Sequence, residues 1–514
     1  MSSAGASGGG HADVDVVVVG AGAAGLYAAL CAAREGGSVA LLSATALAQT
    51  ASYWAQGGLA AVLSTDDSTE LHLNDTERAG RGAVRRSAAE VLVKEAPDCV
   101  RDLEQLGFHF DADRRGRLAL GLEGGHSVRR IVHAGGSATG RRLLRELSAL
   151  VVEQERVHVI EGARVCGLLT DRDPTHPRCH GVVCWPIGDP SDLRSVGRTV
   201  TARAVVLSTG GAAALWSRTT NPPGSIGQGL LLGHAAGAPL ADLEFVQFHP
   251  TAVIGVEGRE GFLITEAIRG EGATLHDSTG ERFVDELAPR DEVSRAIQTR
   301  LRETGERSVS LDMRKIDPGL LPNVVGALRE AGLDPTRELV PVAPAAHYTI
   351  GGIVTDLHAR SAVTGLYAVG ETACTGLHGA NRLASNSLSE CFVFGRRAAL
   401  AALEEPPLAG AASKPTPTPI APTDWRSEGS PIGRRDTRTA LWEHAGIERS
   451  AEGLTSLLED PHPLARMVAR SALERKESRG THMRTDHPDR DARLDGRHVV
   501  VGSAGEDLDW QAWE

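Results

Sequence analysis

The chain has 514 residues, which is enough for two or three domains with sizeable apolar cores. Its formal net charge of −12, from 54 basic and 66 acidic residues, argues against a general binder of nucleic acid or anionic membranes, although a local basic pocket for an acidic substrate is compatible with it. Seven cysteines without a CxxC pair, and no apolar run near the roughly 20 residues that span a bilayer, favour a cytoplasmic protein with buried thiols.

The first predicted elements form a βαβ unit. Residues 1–12 begin with a run of Ser, Gly and Ala and are expected to be a disordered tail. Residues 13–20 are apolar and valine-rich, which is typical of a parallel strand buried on both faces. An alanine-rich helix (Ala23–Arg34) and a second short strand (38–43) follow.

The turn between the first strand and the helix carries a GxGxxG pattern, formed by Gly20, Ala21, Gly22, Ala23, Ala24 and Gly25. Its glycines permit a tight turn and the close approach of a pyrophosphate, whose charge rests on the helix N-terminus. We therefore predict a dinucleotide site; the alternative is a turn that only packs helix against strand. Ser43 ends the second strand where an acidic residue is usual, which weakens an NAD interpretation, but these residues alone do not choose between FAD and NAD.

Two strands predicted later in the chain, residues 204–208 and 365–369, suggest that one sheet is assembled from separated pieces of sequence. Residues 243–347 would then be an inserted domain. Residues 406–430 are predicted to be an extended linker, because they begin with a run rich in Pro, Ala and Thr. Three amphipathic helices are predicted to form a small separate bundle within residues 431–514: 434–444, 451–458 and 463–475.

Two segments favour FAD. The strand within residues 364–371 ends in Glu371, a carboxylate suited to a ribityl or ribose hydroxyl. Ser387 and Leu388 lie at the start of an apolar helix, whose free N–H groups and positive dipole end would stabilise negative charge on a reduced flavin. The alternative for this second segment is an ordinary capped core helix.

Six motifs occur in order: GAGAAG (20–25), WAQGG (54–58), VQFHPT (246–251), TEAIRGEGA (265–273), HYTIGG (347–352) and GLHGANR (376–382). This series resembles the succinate dehydrogenase/fumarate reductase flavoprotein superfamily over almost the whole chain, and within it is most similar to the L-aspartate oxidase family. The resemblance implies an α/β fold with three parts: a doubly wound FAD-binding domain (13–242 and 348–405), an inserted α+β capping domain (243–347) that closes over substrate, and a C-terminal helical domain (431–514).

The resemblance also implies a non-covalently bound FAD. Ala51 stands where the succinate dehydrogenase subunit carries the histidine that becomes bonded to FAD. Gln228 replaces an acidic residue that usually contacts FAD, and its amide can still hydrogen-bond a hydroxyl. No metal site is predicted. Besides the glycine turn, the expected FAD contacts are Ser43, Ala51, Ser52, Tyr53, Trp54, Ala55, Gln56, Gly57, Gly58, Ala163, Gln228, Glu371, Ser387 and Leu388.

A small dicarboxylate needs cationic and hydrogen-bonding groups that converge on two carboxylates. The resemblance supplies four substrate-binding candidates: His249, Thr265, His347 and Arg382. Arg382 would bind one carboxylate with two parallel hydrogen bonds. The resemblance also places Glu123, in the segment EGGHS, beside the substrate ammonium, whereas the residues alone would favour a loop carboxylate exposed to water.

Arg290 matches the arginine that moves a proton in this superfamily, with Glu266 and Arg269 as its relay neighbours. The pKa of an arginine lies above about 12 in water, so this role requires substrate and carboxylates to hold its proton in a dry site. From the sequence alone, a surface salt bridge between Arg290 and Asp291 is an equal alternative.

The implied activity is the oxidation of L-aspartate to iminoaspartate, with FAD as the group that takes the hydride from the substrate carbon at flavin N5. The ammonium proton would leave on the Arg290 side, and oxygen or fumarate would serve as the electron acceptor. Such an enzyme feeds quinolinate and NAD biosynthesis, with a possible functional link to quinolinate synthase. Two alternatives stay open: a soluble fumarate reductase or succinate dehydrogenase flavoprotein subunit, against which Ala51 and Glu123 count, and a flavin-binding or electron-transfer module without turnover.

Overall fold

A computed structural model describes residues 11–171, 176–186, 197–407, 416–419, 435–502 and 507–514. Most of the predicted tail and of the predicted linker lies outside these ranges.

Within the described ranges the α-helices are α1 (Ala23–Arg34), α2 (Thr69–Ala79), α3 (Arg86–Gln105), α4 (Thr139–Glu153), α5 (Gln228–Ala235), α6 (Ala267–Gly270), α7 (Arg290–Thr304), α8 (Pro322–Glu330), α9 (Asn386–Glu404), α10 (Arg435–His444), α11 (Ala451–Ser456) and α12 (Pro463–Glu474). The strands are β1 (His11–Val19), β2 (Val39–Leu42), β3 (Leu59–Ala60), β4 (Leu120–Gly121), β5 (Ile131–Val132), β6 (Val157–Ile160), β7 (Ala163–Thr170), β8 (Cys179–Pro186), β9 (Arg198–Leu207), β10 (Leu240–Ala241), β11 (Val246–Val253), β12 (Thr274–His276), β13 (Val309–Asp312), β14 (Val340–Thr349), β15 (Gly352–Val354), β16 (Leu366–Ala368), β17 (Ala373–Cys374), β18 (Thr416–Pro419), β19 (Glu448–Arg449), β20 (Met483–Arg484), β21 (Arg497–Val501) and β22 (Leu508–Ala512).

The main sheet has the strand order β18-β7-β8-β9-β1-β2-β6, and β16 pairs with the carboxyl-terminal part of β9. Strands β1, β2, β6, β9 and β16 are parallel, whereas β7, β8 and β18 add antiparallel pairs. The strands predicted at 204–208 and 365–369 therefore join the first strand in one sheet, as expected from separated pieces of sequence.

The valine run of β1 is buried on both faces because successive side chains of a strand point to opposite sides. Val16 and Val18 pack into the core that α1, α3, α4 and α9 cover. Val17 and Val19 pack into the core on the other face of the sheet. The first residues after three parallel strands then meet at one edge: Gly20 follows β1, Ser43 follows β2, and Val369 follows β16, just before Glu371. In doubly wound sheets this edge is where ligands bind.

The cap, residues 243–347, has its own antiparallel sheet in the order β11-β14-β13-β12, packed against α6, α7 and α8. Its core is separate from the cores of the main sheet and includes Ile297, Leu311 and Val324, all fully buried. Strand β14 continues to Thr349, two residues past the predicted border of the cap.

The C-terminal region differs from the predicted separate bundle. Its three helices are present, but Leu441 of α10 and Leu464 of α12 are buried in the core shared with the main sheet. Strands β21 and β22 also extend a second sheet, in the order β17-β15-β10-β21-β22. The apolar faces of these helices are therefore buried against the main sheet and not only against one another.

The predicted linker also contains a strand. Thr416–Pro419 forms β18 and pairs antiparallel with β7 at the edge of the main sheet. Prolines are tolerated there because an edge strand needs only one side of its backbone for pairing.

Candidate active site

The GxGxxG turn brings α1 into close contact with the start of the loop after β9. Gly20 has φ +109°, and a Cβ on it would lie 2.3 Å from the carbonyl oxygen of Ser208. A Cβ on Gly25 would lie 2.0 Å from the carbonyl oxygen of Gly20. Gly22, at the N-cap of α1, offers no side chain to the helix amides. The turn therefore requires glycine at these positions and leaves a small cradle at a helix N-terminus, which fits a pyrophosphate.

Ser52, from the predicted cofactor loop, lies over this cradle. Its Oγ accepts a hydrogen bond from the backbone N–H of Ala23 at 3.2 Å, and a Cβ on Gly22 would lie 3.3 Å from the same oxygen. Ser52 belongs to a short 3₁₀ segment, Ala51–Trp54, that packs on α4. The segment thus brings Ala51, Ser52, Tyr53 and Trp54 to the helix N-terminus, and Tyr53 and Trp54 contact each other edge to face at 5.2 Å.

Ser43 and Ala163 are adjacent in space. The backbone N–H of Ala163 donates to the carbonyl oxygen of Ser43 at 2.9 Å, and Ser43 is buried. Gln228 begins α5 and donates from Nε2 to the carbonyl oxygen of Val165 at 2.7 Å. This bond ties Gln228 to β7, two residues beyond Ala163, so these three predicted contacts border the same part of the main sheet.

Glu371 reaches the loop after β9 from the end of β16. Its Oε1 accepts hydrogen bonds from the backbone N–H and the hydroxyl of Thr349, at 2.9 and 3.1 Å. A Cβ on Gly211 would lie 2.2 Å from Oε1, so a glycine is needed to let the carboxylate in. Burial raises the pKa of Glu371 to about 7, against the lowering effect of Thr349. Its second oxygen is suited to a sugar hydroxyl.

Gln56 connects the cofactor loop to the cap. Its Nε2 donates to the carbonyl oxygen of Leu263 at 2.5 Å, and its Oε1 accepts from the backbone N–H of Thr265 at 3.1 Å. Thr265 is buried, and its Oγ1 accepts from the backbone N–H of Ala267 at 3.4 Å. Ala55 supports the loop by accepting the backbone N–H of Gly140 at 3.0 Å.

The N-terminus of α9 is shaped by Ser385, which has φ +62°. Its hydroxyl makes no capping bond to α9. Instead, it donates to Glu123 Oε2 at 2.6 Å and accepts from the backbone N–H of Gly58 at 3.2 Å. Leu388 is buried below this turn, and Ser387 Oγ accepts from Arg382 Nη1 at 2.9 Å. The backbone N–H of Asn386 donates to the carbonyl oxygen of Leu383 at 3.3 Å, but no side chain caps the start of α9, and the positive end of this helix fits the pyrimidine edge of a flavin.

Arg290 is buried and pairs with Glu266, not with its neighbour Asp291. Its Nε donates to Glu266 Oε2 at 2.5 Å. Arg269 lies on the other side of Glu266, with Nη2 3.0 Å from Oε1. Asp291 instead contacts Arg81 at 3.2 Å. The alternative of a surface salt bridge between Arg290 and Asp291 is therefore wrong, because adjacent residues at the start of a helix point in different directions.

Arg382 approaches Arg290 from the main body, and Gln247 lies between them. Gln247 Oε1 accepts from Arg290 Nη1 and from Arg382 Nη2, each at 3.0 Å. Its Nε2 donates to Asn381 Oδ1 at 2.9 Å. The sequence analysis missed Gln247 and Asn381 as site residues, although each is a polar side chain beside a predicted site residue: Gln247 lies two positions before His249, and Asn381 precedes Arg382.

Arg382 retains an unused donor. Among the described residues its Nε has no hydrogen-bonding partner, and its guanidinium lies 4.7 Å from the ring centre of Tyr348. Burial lowers the pKa of Arg382 to about 10, and the positive charge of Arg290 acts in the same direction. A carboxylate bound here would reverse both effects, which favours an anionic ligand.

His249 and His347 form the third side of the site, with ring centres 5.2 Å apart. Burial lowers the pKa of each well below its ordinary value, and the charge of Arg290 adds to the effect. The backbone N–H of Thr251 donates to His249 Nδ1 at 3.3 Å, so the proton of the neutral ring lies on Nε2. His347 Nδ1 is 2.8 Å from Thr220 Oγ1. Both rings are neutral hydrogen-bonding groups rather than cations.

Glu123 is buried, contrary to the alternative of an exposed loop carboxylate. Its Oε2 accepts from Ser385, and its Oε1 lies 3.3 Å from His133 Nε2. Burial raises its pKa, but the bonds from His133 and Ser385 and the charge of Arg290 outweigh this and lower it to about 2. Glu123 is therefore ionised throughout the physiological range.

The electrostatic balance of the site favours a dicarboxylate that also carries an ammonium. The three arginines and the carboxylates of Glu266 and Glu123 together carry one net positive charge when the histidines are neutral. A ligand with two carboxylates and one ammonium carries one negative charge and matches it. All the substrate and proton-transfer residues predicted from the sequence are buried or half-buried around this cluster.

The described part of the chain contains no group of three or more His, Cys, Asp or Glu residues that could hold a metal ion. None of its helices has the length and apolar character needed to cross a membrane.

Comparison with known proteins gives consistent matches. Residues 15–388 match the family described as FAD binding domain, and residues 457–511 match the family described as fumarate reductase flavoprotein C-term. The chain is 42% identical to an L-aspartate oxidase of Streptomyces coelicolor, over 95% of this chain and 91% of that protein. It is also 42% identical to an L-aspartate oxidase of Mycobacterium tuberculosis, over 92% of each.

Solved structures match the fold. An E. coli quinol fumarate reductase superposes with a TM-score of 0.85 at 28% identity, over 98% of this chain and 97% of that one. A Mycobacterium smegmatis Sdh1 superposes with a TM-score of 0.79 at 30% identity, over 98% of this chain and 94% of that one.

Proposed function

Because the chain belongs to the L-aspartate oxidase family of FAD-binding flavoproteins, we propose that its arginine cluster holds L-aspartate for oxidation by FAD. The chain is an FAD-dependent oxidoreductase whose substrate is L-aspartate. The main observation that supports aspartate as the ligand of this cluster is Glu123, a buried and ionised carboxylate at the edge of the cluster.

The residues present fit FAD. The glycine turn and the N-terminus of α1 would hold the pyrophosphate, Glu371 and the Ser43 region the sugar hydroxyls, and the start of α9 the flavin. When bound, FAD supplies the hydride acceptor at flavin N5. The protein's part is to hold the substrate carbon in place, exclude water and balance charge.

Substrate binding uses donors from three directions. We assign one carboxylate to Arg382, whose Nε is free to donate, and the other to the neutral rings of His249 and His347 with Thr265. Glu123 then takes the ammonium. This arrangement orients Cα because three different groups of the substrate are fixed.

Proton movement uses Arg290, Glu266 and Arg269. Arg290 faces the substrate, Glu266 contacts Arg290 and Arg269, and Arg269 Nη1 donates to the carbonyl oxygen of Glu286 at 2.5 Å. A proton taken from the ammonium side would pass from Arg290 to Glu266. The buried ion pair makes this relay feasible, because Glu266 accepts a charge-assisted hydrogen bond along the transfer direction.

Oxygen and fumarate are the proposed electron acceptors. Fumarate reduction is favoured as a second reaction by the same arginines and histidines, which suit any four-carbon dicarboxylate, and by the likeness to a quinol fumarate reductase. The product iminoaspartate would feed quinolinate and NAD biosynthesis, and the expected compartment is the cytoplasm.

The attachment of the cofactor is open to a direct test. Ala51 has no side-chain nucleophile, so acid or heat denaturation should release all yellow colour into the supernatant, measured by absorbance at the flavin band. Flavin that stays with the precipitated polypeptide would contradict non-covalent binding.

The function is tested by anaerobic mixing, and the role of Glu123 by Glu123→Gln. We expect L-aspartate to bleach the oxidised flavin band of the wild-type protein. In Glu123→Gln, aspartate oxidation should weaken while fumarate reduction stays equal or improves, because the variant loses one charge-assisted contact, typically about 1.5–3 kcal/mol.

Two outcomes would overturn these assignments. Bleaching by succinate but not by aspartate would identify a succinate or fumarate enzyme instead. Equal losses of both activities in Glu123→Gln would show that Glu123 is structural.

A further inference from the structure

We propose that His133 is a positioning residue that sets the preference of the site between dicarboxylates with and without an ammonium group, by holding the carboxylate of Glu123 in place. The inference rests on the proposed function, since it assigns Glu123 to the substrate ammonium. It adds a residue that neither the motifs nor the fold had indicated.

Glu123 is fixed between the cofactor loop and the proton relay. A Cβ on Gly57 would lie 3.4 Å from Glu123 Oε1, and a Cβ on Gly124 would lie 2.2 Å from Glu266 Oε1. The backbone around Glu123 therefore packs directly against Glu266, the partner of Arg290. A carboxylate in this position faces the space between the flavin loop and the arginine cluster.

Two side chains hold the two oxygens of Glu123. Ser385 donates to Oε2 at 2.6 Å from a backbone with φ +62°, a conformation that non-glycine residues adopt at a cost. His133 lies 3.3 Å from Oε1. Together these two contacts use both oxygens of Glu123 and fix the direction of its carboxylate.

The His133 ring is placed by its neighbours and is partly exposed to solvent. Its side chain is 15% exposed, against 2% for Glu123. A Cβ on Gly121 would lie 2.6 Å from the ring atom Cε1, so only glycine at 121 leaves room for this ring position. The ring thus bridges a buried carboxylate and the surface.

The loop that carries His133 is held by backbone contacts. The backbone N–H of Asp111 donates to the carbonyl oxygen of His133 at 2.8 Å, and the Asp111 carboxylate accepts from the amides of Gly135 and Gly136. Glu123 is the carboxylate in contact with the His133 ring. Arg142 lies against Gly135 on the same loop.

The consequence follows from geometry. An ammonium is bound well only if the Glu123 carboxylate keeps its direction, because a charge-assisted hydrogen bond depends on distance and angle. A dicarboxylate without an ammonium makes no such bond to Glu123, so a displaced carboxylate affects it much less. Loss of the His133 contact should therefore weaken aspartate binding more than fumarate binding.

The test compares KM for aspartate and for fumarate in holoenzyme variants under one set of conditions. In His133→Leu, we expect KM for aspartate to rise about 10-fold, the loss of one charge-assisted contact, while KM for fumarate stays close to wild type. His133→Gln keeps a hydrogen-bond donor, so it should restore most of the wild-type KM for aspartate. His158→Gln, at an exposed position of β6, is the matched control and should behave as wild type.

Gly121→Ala provides a second variant that leaves every polar side chain in place. Its methyl group would displace the His133 ring, so KM for aspartate should rise while KM for fumarate stays close to wild type. A His133→Leu protein with a wild-type KM for aspartate would overturn the proposal, as would parallel changes of KM for both substrates in His133→Leu or Gly121→Ala. A wild-type protein that neither oxidises nor binds aspartate at any pH would instead refute the proposed function.

Discussion

Replacement of Arg290 by leucine should abolish most turnover while leaving FAD bound. Arg290 touches no part of the glycine turn or of the Glu371 region, so the flavin spectrum should be normal. Its hydrogen bonds go to Glu266 and Gln247 inside the substrate cluster. A general acid–base group contributes about 10²–10⁴-fold, and the loss should appear chiefly in kcat and in the rate of flavin reduction measured by stopped flow.

Two further variants separate chemistry from binding. Arg382→Leu should act mainly through KM, because Arg382 contributes an unused Nε to the substrate but has no contact with Glu266 among the described residues. Arg290→Lys keeps the charge but lacks the planar guanidinium group that contacts both Glu266 and Gln247. It should therefore restore little of the turnover that Arg290→Leu loses. A wild-type rate of flavin reduction in Arg290→Leu would show that Arg290 does not move the proton. Glu266 and His249 would then be the candidates for this role.

Replacement of Arg475 by methionine should destabilise the whole chain. Arg475 is fully buried at the junction of the C-terminal region and the main body, and it donates to Glu244 at 2.6 Å and to Glu477 at 3.1 Å. It also stacks over Phe245 at 4.7 Å. Removal of one partner from a buried ion pair costs about 3–5 kcal/mol, because the other charge is left without compensation. The shift of the urea unfolding midpoint measures this loss.

The double variant Glu244→Gln/Arg475→Met is the control for this explanation. Burial raises the pKa of Glu244 to about 7 in spite of Arg475, so the carboxylate is costly to keep charged. Replacing this carboxylate by a neutral amide should restore part of the stability that Arg475→Met loses. Arg86→Met, which removes an exposed pair with Glu77, should change the midpoint little. An Arg475→Met protein as stable as wild type would show that this network does not hold the C-terminal region in place.

The parts of the fold that could be predicted are those that depend only on residues close together in the sequence. The valine run and the glycine turn each follow from rules about single strands and single turns, and α1 begins and ends where the sequence indicated. The C-terminal helices were also predictable from their apolar spacing. Their burial against the main sheet was not, because a helix pattern shows which face is apolar but not what covers it.

The residues of the site could be predicted only where the sequence resembles the flavoprotein superfamily. Arg290 and Glu266 are 24 positions apart, and nothing in their local sequence chooses Glu266 over Asp291 as the partner. The same holds for Glu123 and Ser385, which meet across 262 positions. Arg475, Glu477 and Arg479 lie in a charged segment that composition alone assigns to the surface, yet they are buried because they neutralise one another.

Arg290 and Arg382 reach the single oxygen of Gln247 from two different bodies of the protein, the cap and the main body. A cap that moves away by more than hydrogen-bonding distance takes Arg290 with it and leaves Arg382 behind. The shared oxygen of Gln247 therefore keeps the two guanidinium groups together only while the cap and the main body meet. Any separation of the two bodies would divide the cationic cluster, and its positive charge would no longer be concentrated at one point.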